Sequence, residues 1–166
     1  MKARSFRLVC VLLSLVVSAV AWAAPEWKVE PGVGIGPFVI GADWKSTDGL
    51  LTRSEFIPQE TWGWVRYTEG VDLHLEHGKI LEVMVHSSVV RTKSGPVPVL
   101  CQGNLKIGDS VQAMEAAYGT NYKYSVLKTG KSEPPQAYYA YVSEGLAFQT
   151  RGGQIYIIIV WPRRAN

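Results

Sequence analysis

Gly34-Ile35-Gly36-Pro37-Phe38-Val39-Ile40-Gly41-Ala42-Asp43 and Gly103-Asn104-Leu105-Lys106-Ile107-Gly108-Asp109-Ser110 are two versions of one short pattern. Each is a small strand ending in Ile-Gly, followed by a polar residue able to cap a helix. What comes after each also corresponds: an aromatic strand, a Glu-Gly turn, a strand, a Gly turn and an apolar strand. Gly70 and Gly145 lie 75 positions apart, and so do Gly78 and Gly153, whereas Gly41 and Gly108 lie 67 apart. The second unit therefore carries eight extra residues between its helix and its meander. Self-similarity at a fixed offset is the mark of a repeat architecture. The expectation is an α+β fold of two tandem repeats, each a short helix with an antiparallel β-meander.

The N-terminus sets the boundaries. Lys2, Arg4 and Arg7 precede an apolar run from Leu8 to Val20, and Ala21-Trp22-Ala23 places small residues where a signal peptidase cuts. Residues 1–23 read as a signal peptide, 24–90 as the first repeat, 91–102 as a connection and 103–166 as the second repeat. The run is short for a membrane span, so no membrane anchor is expected after cleavage, and the compartment is periplasmic or extracellular. Of the 17 basic residues, the three in the signal would be removed, leaving 14 against 14 acidic ones. A mature chain near zero net charge is not a general binder of nucleic acid or anionic membranes. Cys10 would leave with the signal, so Cys101 has no partner within the chain; after the apolar run Val97-Pro98-Val99-Leu100 it reads as buried.

Within the first unit, Lys45 to Arg53 is a poor helix, because Ser46, Thr47, Asp48 and Gly49 favour caps and turns. Trp62–Tyr67, Val71–Glu76 and Ile80–His86 alternate as strands. With three-residue loops, Tyr67 faces Val71, Val65 faces Leu73, and across the next turn Leu75 faces Leu81 and Leu73 faces Val83. One face is then almost wholly aliphatic, and Arg66 stands opposite Asp72. In the second unit, Asp109 or Ser110 caps a helix with Val111, Met114 and Tyr118 on one face and Gly119 as its stop. Tyr138–Val142, Leu146–Thr150 and Ile155–Trp161 form the second meander.

Gly108-x-Ser110-x-x-x-Met114-x-x-x-x-Gly119 resembles the G-x-[ST]-x(3)-[aliphatic]-x(4)-G pattern of the β-lactamase inhibitor proteins. It is also similar to the helix start of small outer-membrane assembly lipoproteins of the SmpA/OmlA type. The resemblance implies two units, each a short helical segment on an antiparallel sheet, and bears on the fold more than on inhibitory activity; inhibition, immunity toward a secreted toxin and envelope assembly are all compatible with a protein-binding role. It carries over no individual binding residue. The first unit departs from the pattern, with Thr47 and Thr52 where an aliphatic residue and a glycine belong.

The second sheet face is where function is expected. In the first meander it holds Trp62, Trp64, Arg66, Asp72, His74, Glu76, Glu82, Met84 and His86. In the second, the same register gives Tyr139, Tyr141, Ala147, Gln149, Arg151, Ile155, Ile157, Ile159 and Trp161. A solvated face is polar; this one is aromatic and aliphatic, so it either meets a partner or packs internally. Trp62, Trp64, Arg66, His74, Tyr139, Tyr141, Gln149 and Trp161 are the candidate contacts for a protein partner. Stacking of Trp62, Trp64 and Tyr139 on a sugar or other small molecule is the alternative. His74 and His86 share the face with carboxylates but lack a compact ligand spacing, so no metal site is expected. No cofactor motif and no nucleophile motif occurs. The expectation is a non-catalytic binding protein, with a hydrolase as the third reading.

Overall fold

The computed structural model describes residues 25–127, 130 and 133–163; the proposed signal peptide at 1–23 lies outside them. The strands are β1 (Trp27–Glu30), β2 (Gly34–Ile35), β3 (Phe38–Val39), β4 (Arg53–Pro58), β5 (Trp62–Tyr67), β6 (Val71–Glu76), β7 (Lys79–Val85), β8 (Val89–Thr92), β9 (Gly95–Leu100), β10 (Lys123–Leu127), β11 (Gln136–Tyr141), β12 (Leu146–Arg151) and β13 (Gln154–Val160). The one α-helix among the described residues is α1 (Val111–Tyr118). The strands form a five-stranded sheet in the order β3-β2-β1-β9-β8 and an eight-stranded sheet in the order β10-β11-β12-β13-β7-β6-β5-β4.

This corrects the expectation of an α+β chain of two helix-plus-meander repeats: among the described residues the fold is mostly β, with two large sheets and a single short α-helix. The first unit has only a four-residue 3-10 turn, Trp44–Thr47, where a helix was expected. Asp43 accepts the Lys45 amide at 3.0 Å, and the Thr47 hydroxyl donates to the Trp44 carbonyl at 2.7 Å, so local side-chain bonds compete with helix growth. Residues 27–39 at the start of the first repeat, together with 89–100 at its end and in the connection, build the second sheet instead. Strand β9 pairs with β1 in parallel and with β8 antiparallel. Pro96 and Pro98 are tolerated because β1 meets β9 only at Val99 and Leu100, beyond both prolines.

The two stretches quoted at the outset dock alike on the large sheet. The Gly41 amide donates to the Ile80 carbonyl at 2.7 Å, and the Gly108 amide to the Ile155 carbonyl at 2.8 Å. Ser110 caps α1 by accepting the Ala113 amide at 3.2 Å, and Gly119, at φ 78°, ends it.

The registers explain which face is which. Tyr67 pairs with Val71, Val65 with Leu73 and Arg66 with Asp72, as the alternation predicts. The next turn is shorter than expected. His77 and Gly78, both at positive φ, make a two-residue hairpin loop, and a bulge between His74 and Leu75 restores Leu73 opposite Val83. Leu75 therefore faces Ile80 rather than Leu81. Val65, Leu73 and Val83 turn inward and join Val29, Ile35 and Phe38 of the small sheet, Met114 of α1, and Phe148 and Ile158 in one buried core.

Candidate functional site

The face of the eight-stranded sheet turned away from this core is the candidate site. Its centre is a second apolar cluster of Ala140, Ala147, Ile157 and Ile159, flanked by Met84, Tyr138, Val142, Tyr156 and Trp161. It spans both halves of the sheet because β13 pairs with β7 through Ile158 with Val85, Ile159 with Met84 and Val160 with Val83. Burying small and branched residues under longer neighbours makes a dry floor.

On the β5–β7 side this floor meets aromatic and charged groups. The Trp64 indole and His74 imidazole are stacked, with ring centroids 4.6 Å apart and planes 11° apart. Trp62, 44% exposed, meets the same imidazole edge-on at 6.4 Å. Arg66 donates from Nη1 to Glu55 Oε2 at 2.7 Å, and its Nε stands 3.7 Å from Asp72 Oδ2. His86 Nε2 is 3.3 Å from the same Asp72 oxygen. Among the described residues no set of three or more His, Cys, Asp or Glu is placed to hold a metal ion.

Glu82 lies between the two regions, directly opposite His74. Burial pushes its carboxyl above the usual carboxylate range. Tyr138 is raised as well, by burial first and then by the nearby Glu82 charge. On the far side, Lys123, Ser125, Tyr138, Ala140, Val142 and Trp161 line an open bay of about 340 Å³.

Six of the eight expected contacts fall on this face or at its rim: Trp62, Trp64, Arg66, His74, Gln149 and Trp161. Gln149 is already engaged, its Oε1 accepting from the Tyr156 hydroxyl at 2.8 Å. Tyr139 and Tyr141 are corrections. They pair with Phe148 and Leu146 on the core side, and Tyr141 is 1% exposed, its hydroxyl donating to the Gly119 carbonyl at 2.8 Å. Tyr122 packs edge-on against Tyr139 at 5.0 Å. The cause is turn length. Tyr67 pairs with Val71 across three residues, but Tyr141 pairs with Leu146 across four, which reverses the parity of β11. Tyr138 takes the outward place instead and was missed for that reason. Ile155 likewise joins the main core, because a bulge between Gln149 and Thr150 shifts β13. Cys101 is buried, and desolvation pushes its thiol up to about 12, which disfavours the thiolate at neutral pH.

No family model matches the chain, and no curated protein matches it. Among solved structures it is similar, at a TM-score of 0.44 and 13% identity, to an extracellular protein containing a SCP domain from Bacillus anthracis str. Ames. The match covers 74% of this chain and 44% of that one. So distant a likeness carries no argument about function, and the reading rests on the geometry above. No described helix is long and apolar enough to cross a membrane.

Proposed function

We propose that the chain is an exported, non-catalytic binding protein that receives a protein partner on the open face of the eight-stranded sheet. The observation that carries the reading is the composition of that face: a dry floor of Ile157, Ile159, Ala147 and Ala140 bordered by Trp62, Trp64 and Trp161. Aromatic side chains around an apolar centre are the usual anchors of a protein interface. The charge pattern specifies the partner further. Arg66 and His86 are occupied by acidic neighbours, while the Glu82 carboxylate has no ion pair among the described residues, so the complementary surface is apolar with a positive charge near Glu82. Export is supported by the charged, apolar and small-residue sequence of residues 2–23.

A small-ligand reading is favoured by one feature, the bay between Tyr138 and Trp161, which is large enough for a sugar ring. The test compares variants against a purified partner obtained by affinity capture from the cell envelope. Trp64→Ala should weaken binding by on the order of thirtyfold, about 2 kcal/mol, with little change in unfolding midpoint. Unchanged affinity in Trp62→Ala and Trp64→Ala would place the contact elsewhere. Self-association abolished by the same changes would assign the face to a second copy and overturn the reading. N-terminal sequencing of exported protein should begin at Ala24.

A further inference from the structure

We infer that Glu82 is the socket for a cationic side chain, arginine or lysine, delivered by the protein partner; this deepens the open-face reading and rests on it. The argument begins with what surrounds the carboxylate. His74 stands opposite it on β6, and Met84 follows two residues along β7. Val83 pairs with Val160 across the seam, so the next residue, Trp161, emerges beside Glu82 on the same face. Tyr138 lies close enough to feel the Glu82 charge. The carboxylate therefore shares its face with a thioether and an indole, and its charge reaches a phenol.

Among the described residues, the cations nearest to it on the sheet are engaged with other groups, and Lys123 stands on the edge strand β10, four strands away from β7. Arg66 binds Glu55 and Asp72, and His86 binds Asp72. His74 lies flat on Trp64. Arg151 sits over the Tyr156 ring at 4.9 Å. Among the described residues Glu82 forms no ion pair, whereas the more exposed Glu55 and Glu26 both do. A partly desolvated carboxylate without a counter-charge is costly to keep. An incoming cation removes that cost and gains the aromatic faces of Trp161 and Tyr138. A planar guanidinium matches both a carboxylate and an indole face, and an ammonium satisfies the same charge.

The experiment is an NMR titration of the whole mature chain, using N-acetyl-arginine amide and N-acetyl-lysine amide as probes. N-acetyl-citrulline amide, an uncharged isostere of the first, is the control. The cationic probes should shift the Trp161 and Trp64 indole N–H signals and the Met84 methyl saturably, and citrulline should not. In Glu82→Gln the apparent affinity should fall at least about tenfold. Equal shifts from citrulline, equal affinity in Glu82→Gln, or no shift at these three residues overturns the assignment. A second comparison uses the captured partner. If Trp64→Ala weakens it and Glu82→Gln does not, the socket is wrong while the open-face reading stands. If neither weakens it, both are wrong.

Discussion

The His74 imidazole lies flat against the Trp64 indole, 4.6 Å between centroids, while Glu82, its cross-strand neighbour, forms no ion pair among the described residues. An acid and a base placed opposite each other on adjacent strands ordinarily pair. Here the aromatic contact wins: stacking keeps the imidazole on the β5 side of β6. The arrangement stores an unmet charge in a surface that has few other reasons to be specific.

Glu82→Gln should stabilise the free protein at neutral pH. Burial raises the folded pKa of Glu82 above its unfolded value, so the ionised form is the penalised one. The stability tied to the neutral form is complete below the unfolded pKa and is lost as pH rises through the folded pKa. The variant's advantage in urea midpoint should therefore be full above the folded pKa and close as pH falls through it. An advantage independent of pH would assign the gain to something other than this carboxylate.

Tyr67→Phe should be neutral or stabilising by up to about 1 kcal/mol. The Tyr67 hydroxyl is buried without a hydrogen-bond partner among the described residues. Thr47 lies nearby, and its hydroxyl, which donates to the Trp44 carbonyl, keeps lone pairs as the one acceptor within reach of a small shift of the phenol. Equilibrium unfolding decides it; a loss above 1 kcal/mol would reveal a partner for the phenol.

Leu73→Ala should cost about 2–5 kcal/mol and Phe148→Ala about 3–5 kcal/mol, because both side chains are completely buried in the shared core. Trp62→Ala, at an exposed rim position, should stay within about 1 kcal/mol. The contrast separates the two faces of one sheet in a single set of denaturation curves.

Gly145→Ala and Gly78→Ala should differ widely. Both glycines sit at positive φ, a shared penalty of about 1–2 kcal/mol for a side chain. A Cβ at Gly78 meets open space, but at Gly145 it would lie 2.3 Å from the Trp161 carbonyl oxygen. Backbone must move to admit it, so Gly145→Ala should cost at least about 2 kcal/mol more and alter tryptophan fluorescence. Equal costs would mean the 142–145 turn yields easily.

Cys101 should resist iodoacetamide in the native protein and react once the chain is unfolded. Burial holds its thiol far from ionisation. Rapid native alkylation would show that the segment opens readily.

The first meander was legible in sequence because its alternation is unambiguous: Val65, Leu73 and Val83 accept only one face, while Arg66, Asp72 and Glu82 accept the other. The second was not. Tyr138, Tyr139, Ala140 and Tyr141 suit either face, so one extra turn residue reversed their parity with no pattern to object. The small sheet escaped altogether. Its strands are two to six residues long, Pro96 and Pro98 argue against β9, and its parallel contact joins Trp27 to Val99 across the whole first meander. The site divides in the same way. Trp62, Trp64 and His74 were found from alternation, whereas Tyr138 depended on a turn length and the isolation of Glu82 on a ring stack.

Strand β13 is the last described strand, yet it stands fourth of eight in its sheet. During biosynthesis β7 must wait for it: Val83 meets Val160 only 77 residues later. Until then the inner edge of β7 is an unpaired apolar ribbon, able to recruit a neighbouring nascent chain. A product truncated before residue 154 would keep β4 to β7 with Trp62 and Trp64, yet lose Ile157 and Ile159 from the floor. Stop mutations late in the gene should therefore produce insoluble protein rather than weakened binders.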